Sequence, residues 1–187
     1  MRRFEQVVVC GGHMIDKPGR KPPRFPAAKA ESVRALIAEK MQQWQLGEYS
    51  LVLCGGASGA DILCAEESLR RGASLRLLLA QPPDDFVRAS VQPAGHDWVG
   101  RFFALGEKAE VKTLPAVAEE ADLSIYERVN LWLVENGREA AGETGKLCAL
   151  LIWDEQPSGD GRGGTSDLAQ RISQLGGEVA VINPTKL

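Results

Sequence analysis

The sequence predicts an α/β fold with a mainly parallel sheet of about six to seven strands and helices on both faces, and three observations lead there. Apolar runs alternate with segments of helical periodicity along most of the chain. Runs such as VVVC at 7–10 and LVLC at 51–54 are continuously apolar rather than alternating, as a strand covered on both faces requires. Glycines follow several of these runs just before a helical pattern begins, giving a strand, a tight turn and a helix in order.

The strands fall at 5–10, 50–54, 74–79, 109–113, 147–153 and 178–182. Between 28 and 46, Val33, Leu36, Ile37, Met41 and Trp44 recur at helical spacing, with Glu31, Arg34, Glu39 and Lys40 on the other side. A second helix spans about 60–71 and stops at Gly72, where a positive φ suits a C-cap. Segments 84–91 and 96–107 form a helical pair interrupted near Pro93-Ala94-Gly95, with Trp98, Phe102 and Phe103 as helix core. A helix over 120–137 carries Leu123, Tyr126, Val129, Leu131 and Leu133 and ends near Gly137, before a surface excursion over 138–146. The last helix, 165–175, ends at Gly176-Gly177.

The chain of 187 residues suits a single domain over 1–187 with a sizeable core. It has 22 Lys plus Arg against 25 Asp plus Glu, a net charge of −3, which argues against broad nucleic-acid binding. MRRFEQ leads into only Val7–Cys10 before the glycines, too short for a signal-peptide core or a membrane span, so a cytoplasmic protein is expected. Cys10, Cys54, Cys64 and Cys148 lack zinc-site spacing and read as small buried hydrophobes. Cys10 and Cys54 hold equivalent places in two strand-to-glycine units, which leaves a redox role as a minor alternative. His13 and His96 are far apart in the chain, so neither a metal nor another cofactor is expected.

Three glycine-rich segments follow strand ends: Gly11-Gly12, Gly55-Gly56-Ala57-Ser58-Gly59, and Gly161-Arg162-Gly163-Gly164-Thr165. In an open parallel sheet such loops share one edge, where backbone N–H groups and helix N-termini form a cradle for an anion, most naturally a phosphate. The opposing reading is that these glycines only make turns and caps. GGASGAD is not the dinucleotide fingerprint, and GRGGT lacks the lysine of a P-loop, so a common NAD dehydrogenase and a P-loop NTPase are both disfavoured. The connection 11–27 contains four prolines, is long for a strand-to-helix loop and is expected to arch over the site. Its KPGRKPPR stretch, 17–24, reads either as a solvated loop or as the lining of an anion site.

VVVCGGHMIDKPGR, RFP, GGASGADILCAE, the RGA-strand-PP-DDF-RASV segment, HDWVGRF and WDEQPSGDGRGGTSDL together resemble the SLOG superfamily over nearly the whole chain. This group is related to the cytokinin-activating LOG proteins and the DNA-processing DprA proteins, and the pattern is nearest the branch attached to tetratricopeptide-repeat or effector domains. The resemblance implies a Rossmann-like three-layer sandwich that binds nucleotides or nucleotide-derived signals. In some members it implies cleavage of the N-glycosidic bond of a nucleoside monophosphate. It also implies a homodimer and a fused or associated effector domain as partners. Catalytic LOG proteins carry a glutamate three residues after the threonine of the glycine-threonine loop; here that place is Leu168, and Asp167 lies one position earlier, about 100° around a helix.

The candidate ligand residues are Gly11, Gly12, His13, Arg20, Arg24, Gly55, Gly56, Ala57, Ser58, Gly59, Asp61, Trp153, Gly163, Gly164 and Thr165. Ser58 and Thr165 read equally as helix N-caps or as hydroxyls on a phosphate. Arg20 and Arg24 present forks that match phosphate oxygens, against a bland role in solubility. His13 either bonds ligand or holds its loop, and Trp153 either stacks on a base or packs a wall. Tyr126 and Asn130, an i, i+4 pair, face the pocket or another subunit. Asp61, Glu66 and Asp167 are the candidate catalytic carboxylates; Asp61 suits ribose hydroxyls but repels an adjacent phosphate, and a glutamate placed like Glu66 is more often a solvated or paired helix residue. The leading expectation is a binding module for a nucleotide-like small molecule without turnover. The alternatives are a nucleoside-monophosphate N-glycosidase or deoxyribosyltransferase-like enzyme, and an interaction domain with a vestigial pocket.

Overall fold

The computed structural model describes residues 4–115, 122–156 and 163–187. Six strands, β1 (Gln6–Gly12), β2 (Ser50–Cys54), β3 (Ser74–Leu79), β4 (Glu110–Thr113), β5 (Lys146–Ile152) and β6 (Glu178–Ile182), form one sheet in the order β4-β3-β2-β1-β5-β6. Every pairing is parallel. The chain builds outward from β1 to β4 and then returns to the other side of β1 for β5 and β6. The strand order therefore reverses between β1 and β5, where the loops leaving two adjacent strands part and open a crevice.

Helices α1 (Ala30–Gln43), α2 (Ala60–Arg70) and α4 (His96–Gly106) cover one face, and α5 (Ile125–Ala141) and α6 (Thr165–Gln174) the other. The short α3 (Pro83–Phe86) runs into a π turn at Val87–Val91. Adjacent residues of each inner strand feed opposite cores. Val8 and Cys10 pack with Ile37, Met41 and Ile62 on one side, and Val7 and Val9 with Leu133, Leu151 and Ile172 on the other. All four of these β1 residues are fully buried, which is why the strand reads as an unbroken apolar run. The edge strand β4 is exposed at every position and carries Glu110 and Lys112, charges that disfavour pairing with another sheet.

Several expectations are corrected. Gly11 and Gly12 belong to β1, paired with Leu151 and Ile152, instead of forming a free turn after residue 10. At Gly12, φ is +139° and an added Cβ would lie 2.1 Å from the Ile152 carbonyl oxygen, so only glycine lets the two strands approach there. Helix α5 starts at a capping box, Ser124 with Glu127, and runs through Gly137 to Ala141. Gly137 is not a stop: an added Cβ would press on Leu147 and Val9 at 3.1 and 3.2 Å, so its bare face seats the helix on the sheet. The expected excursion over 138–146 is shorter: 138–141 are the last turn of α5, Lys146 begins β5, and a mostly exposed turn at 142–145 lies between them. Phe103 is 53% exposed, in edge contact with the buried Phe102, and is not core. Residues 120 and 121, and the Gly161-Arg162 part of the third glycine loop, lie outside the described residues.

Candidate functional site

A cavity of about 770 Å³ opens at the carboxyl edge of the sheet, where β1 and β5 diverge. Its wall takes backbone from each glycine segment: Gly11 and Gly12, then Gly55 and Ala57, then Gly163, Gly164 and Thr165. The connection after β1 runs across it as a strap, contributing Met14 through Arg20 together with Arg24. Leu78, Phe86, Val129, Leu133 and Leu168 supply apolar surface, and Tyr126, 69% exposed, stands at the mouth.

The strap is held at both ends by charges and backbone. At its start the His13 carbonyl accepts the Ala60 N–H at 3.1 Å. Gly59 makes that crossing possible, because an added Cβ would sit 2.7 Å from the His13 oxygen and 2.8 Å from the Ile15 nitrogen. At its far end the Asp16 carboxylate accepts the Arg24 and Phe25 N–H groups at 2.9 and 3.0 Å. The Arg24 guanidinium then forks onto Asp154 just past β5, Nε to Oδ2 at 2.8 Å and Nη2 to Oδ1 at 3.3 Å. His13 Nε2 accepts the Asp154 N–H at 3.2 Å and stands 3.1 Å from Oδ1. Burial alone would raise the Asp154 carboxyl, but hydrogen bonds from Arg24 and the Gln156 N–H outweigh it and hold the group well below the usual carboxylate range. Arg20 approaches Asp16 at 3.4 Å and stays largely exposed.

The three glycine segments do not offer equivalent backbone. In the first, Gly11 and Gly12 pair in register with Leu151 and Ile152, and His13 N–H goes to the Ile152 carbonyl at 2.8 Å. In the second, Asp61 folds back from the first turn of α2 and its Oδ2 accepts the Ala57 N–H at 3.1 Å, with the Gly55 and Gly56 N–H groups turned toward the same carboxyl. Burial raises the Asp61 carboxyl to about 7 despite those bonds. In the third, Gly164 is the N-cap of α6 and no side chain caps that end among the described residues. Asn130 on α5 clamps this loop, its Nδ2 donating to the Gly163 and Gly164 carbonyls at 2.9 and 3.0 Å. Gly164 and Thr165, at the start of α6, line the cavity, and the first N–H groups of a helix have no partner within it.

Of the residues singled out from sequence, Gly11, Gly12, His13, Arg20, Arg24, Gly55, Ala57, Asp61, Gly163, Gly164 and Thr165 line the cavity. Gly56 faces Phe102 instead, and Gly59 serves the strap crossing. The Ser58 hydroxyl is buried without a hydrogen-bond partner among the described residues and lies outside the lining. Trp153 hangs its backbone N–H on the Ile182 carbonyl, beside β6 and away from the cavity. Glu66 sits on the outer side of α2, forked by Arg101 at 2.6 and 2.8 Å and reached by Arg34 at 2.9 Å. Asp167 turns toward α5, taking Asn130 Nδ2 and Arg171 Nε at 3.1 and 2.9 Å, while its neighbour Leu168 faces the cavity. Asp154 was missed from sequence, as was Ser90 on the wall, whereas Lys17 belongs to the 17–24 stretch read as a possible anion-site lining. A carboxylate directly after an apolar run, opposite an arginine-bearing loop, was the available signal for Asp154.

Among the described residues, no group of three His, Cys, Asp or Glu side chains is arranged to hold a metal ion, and no helix is long and apolar enough to cross a membrane. All four cysteines are free and buried. A hydrogen bond with Cys64, then burial, pushes the Cys10 thiol well up; burial does the same for Cys54 and Cys64. Protonated, enclosed thiols of this kind are poor nucleophiles.

Fold and cavity define the class: a Rossmann-like three-layer α/β sandwich with a cavity at its topological switch point. No protein-family model matches the chain, and no curated protein matches its sequence. Among solved structures it is similar to DNA processing protein A (DprA) from Streptococcus pneumoniae, with TM-score 0.42 and 15% identity over 95% of this chain and 58% of that one. It is also similar to the Moco carrier protein from Chlamydomonas reinhardtii, with TM-score 0.37 and 10% identity over 98% of this chain and 92% of that one. The chain therefore spans only 58% of the length of the DprA chain.

Proposed function

We propose that this chain binds a nucleotide or nucleotide-derived phosphorylated ligand in the cavity at the carboxyl edge of its sheet, without turning it over. The observation that carries the reading is the composition of that one space. Glycine backbone and a helix N-terminus without a side-chain cap among the described residues meet a strap bearing Lys17 and Arg20, beside an apolar wall of Leu78, Phe86 and Leu133. Such a pairing suits a molecule with an anionic end and a flat or apolar end. The volume, about 770 Å³, falls within the range of small-molecule sites. The sequence resemblance to SLOG domains supports the same ligand class. Leu168, standing where the resemblance calls for a glutamate, supports binding over hydrolysis. In the same reading the protein is a cytoplasmic single domain over residues 1–187 that pairs with itself or with an effector domain.

One observation favours the enzymatic alternative: of the three candidate carboxylates only Asp61 lines the cavity. Mass spectrometry of ligand that co-purifies, followed by calorimetry with nucleoside 5′-monophosphates and an assay for released base, tests both. A bound phosphorylated nucleoside with no base release is the expected result. Steady base release would replace sensing with N-glycosidase activity, and absence of any phosphorylated ligand or monophosphate binding would remove the reading.

A further inference from the structure

The second glycine turn already holds a carboxyl group, and that group belongs to the protein. Asp61 is 8% exposed, and its Oδ2 lies 3.1 Å from the Ala57 nitrogen. A Cβ added to Gly55 would come within 2.9 Å of the same oxygen, so the carboxylate lies flush against the turn where a phosphate would otherwise sit. Asp61 is also among the residues that line the cavity. Leu78, Phe86 and Ser90 of the same lining lie on the β2 and β3 side of β1, whereas Gly164 and Thr165 lie on the β5 side.

We propose that Asp61 is a specificity residue: it excludes phosphate from the Gly55-Gly56-Ala57 turn and selects ligands that carry hydroxyl donors at the end opposite their phosphate. This rests on the nucleotide-binding reading above and orients the ligand within it. A second phosphate at this turn would meet a carboxylate in a water-poor corner, where like charges repel strongly. A vicinal diol, by contrast, donates two hydrogen bonds to a carboxylate whose other lone pairs are held in place by the backbone. The phosphate then falls under the strap beside Thr165, and the sugar hydroxyls fall at Asp61.

The test is calorimetry at pH 8 with wild type and Asp61→Asn, using the four common ribonucleoside 5′-monophosphates, their 2′,3′-dideoxy counterparts and the 3′,5′-bisphosphates. Wild type is expected to bind at least one ribonucleotide and to bind its dideoxy counterpart about 10- to 100-fold more weakly, the loss of hydrogen bonds to a charged acceptor. The matching bisphosphate should bind about 100-fold more weakly. In Asp61→Asn the ribonucleotide and its dideoxy counterpart should differ by less than about 3-fold. A ribonucleotide that binds wild type no better than its dideoxy form overturns the role of Asp61 and leaves nucleotide binding standing, and so does discrimination that persists undiminished in Asp61→Asn. Failure of every compound to bind wild type overturns both. The wild-type comparisons decide the matter even if the variant does not fold.

Discussion

Arg24 and Asp154, 130 positions apart in the chain, close a forked ion pair that fastens the strap over the cavity to the end of β5. Both side chains are mostly buried, 15% and 9% exposed, so each depends on the other to offset its desolvation. Arginine was expected here as a phosphate ligand; its fork is instead engaged by the protein. Asp154→Ala should remove the forked contact from a mostly buried guanidinium and destabilise the fold by about 2 kcal/mol. Urea unfolding of the two proteins measures it. Because the folded Asp154 carboxyl is depressed, its contribution is present above about pH 4 and is lost as pH falls below the ordinary carboxylate range. The gap between wild type and Asp154→Ala should therefore narrow in acid, and a gap that stays constant from pH 6 to pH 3 would refute the assignment.

Asp61 carries the opposite sign. Its folded carboxyl is raised to about 7, so the unfolded chain releases a proton that the folded chain keeps. Wild type should lose stability relative to Asp61→Asn as pH rises from 4 to 7, by roughly 4 kcal/mol, and the difference should level off above that. Denaturation curves at pH 5, 6, 7 and 8 give the profile. An asparagine can keep its carbonyl on the Ala57 N–H, so the variant should fold.

Gly164 separates stability from binding. Its backbone is extended, with φ −77° and ψ −175°, a conformation open to any residue, and it is the N-cap of α6. Gly164→Asp should leave the protein equally stable or a few tenths of a kcal/mol more stable, since aspartate is a good N-cap. The same carboxylate would face the cavity and should cut affinity for a nucleoside 5′-monophosphate at least about 10-fold. A melting curve and a titration on one sample check the two halves. Undiminished affinity would place the phosphate elsewhere.

Gly12 should behave in the reverse way. Gly12→Ala would drive a methyl group to 2.1 Å from the Ile152 carbonyl oxygen at φ +139°. A loss of about 3 kcal/mol is expected, read as a lower denaturation midpoint. Gly11→Ala, whose Cβ would reach only to 3.3 Å from a flexible Leu168 methyl, should cost far less and serves as the control.

Strands and helices were legible because their signals are local. The expected strands at 50–54, 74–79 and 178–182 coincide with β2, β3 and β6, and the helix at 60–71 ends within a residue of α2. Three glycine segments at strand ends, and a proline-rich connection above them, were also legible in outline. Gly137 misled because glycine as a helix stop and glycine as a seat against a sheet look alike in one dimension. The same ambiguity placed Gly12 in a turn.

The order of the residues thus settled the architecture: apolar period, turn chemistry and the count of strands follow from near neighbours in the chain. Tertiary structure alone settled which charge meets which. Asp61 occupies the amides of its own turn, Arg24 is spent on Asp154, Glu66 on Arg101 and Asp167 on Arg171 and Asn130. Such pairings depend on distances between elements that are remote in the chain, and a buried charge takes whichever partner the fold brings within about 3 Å.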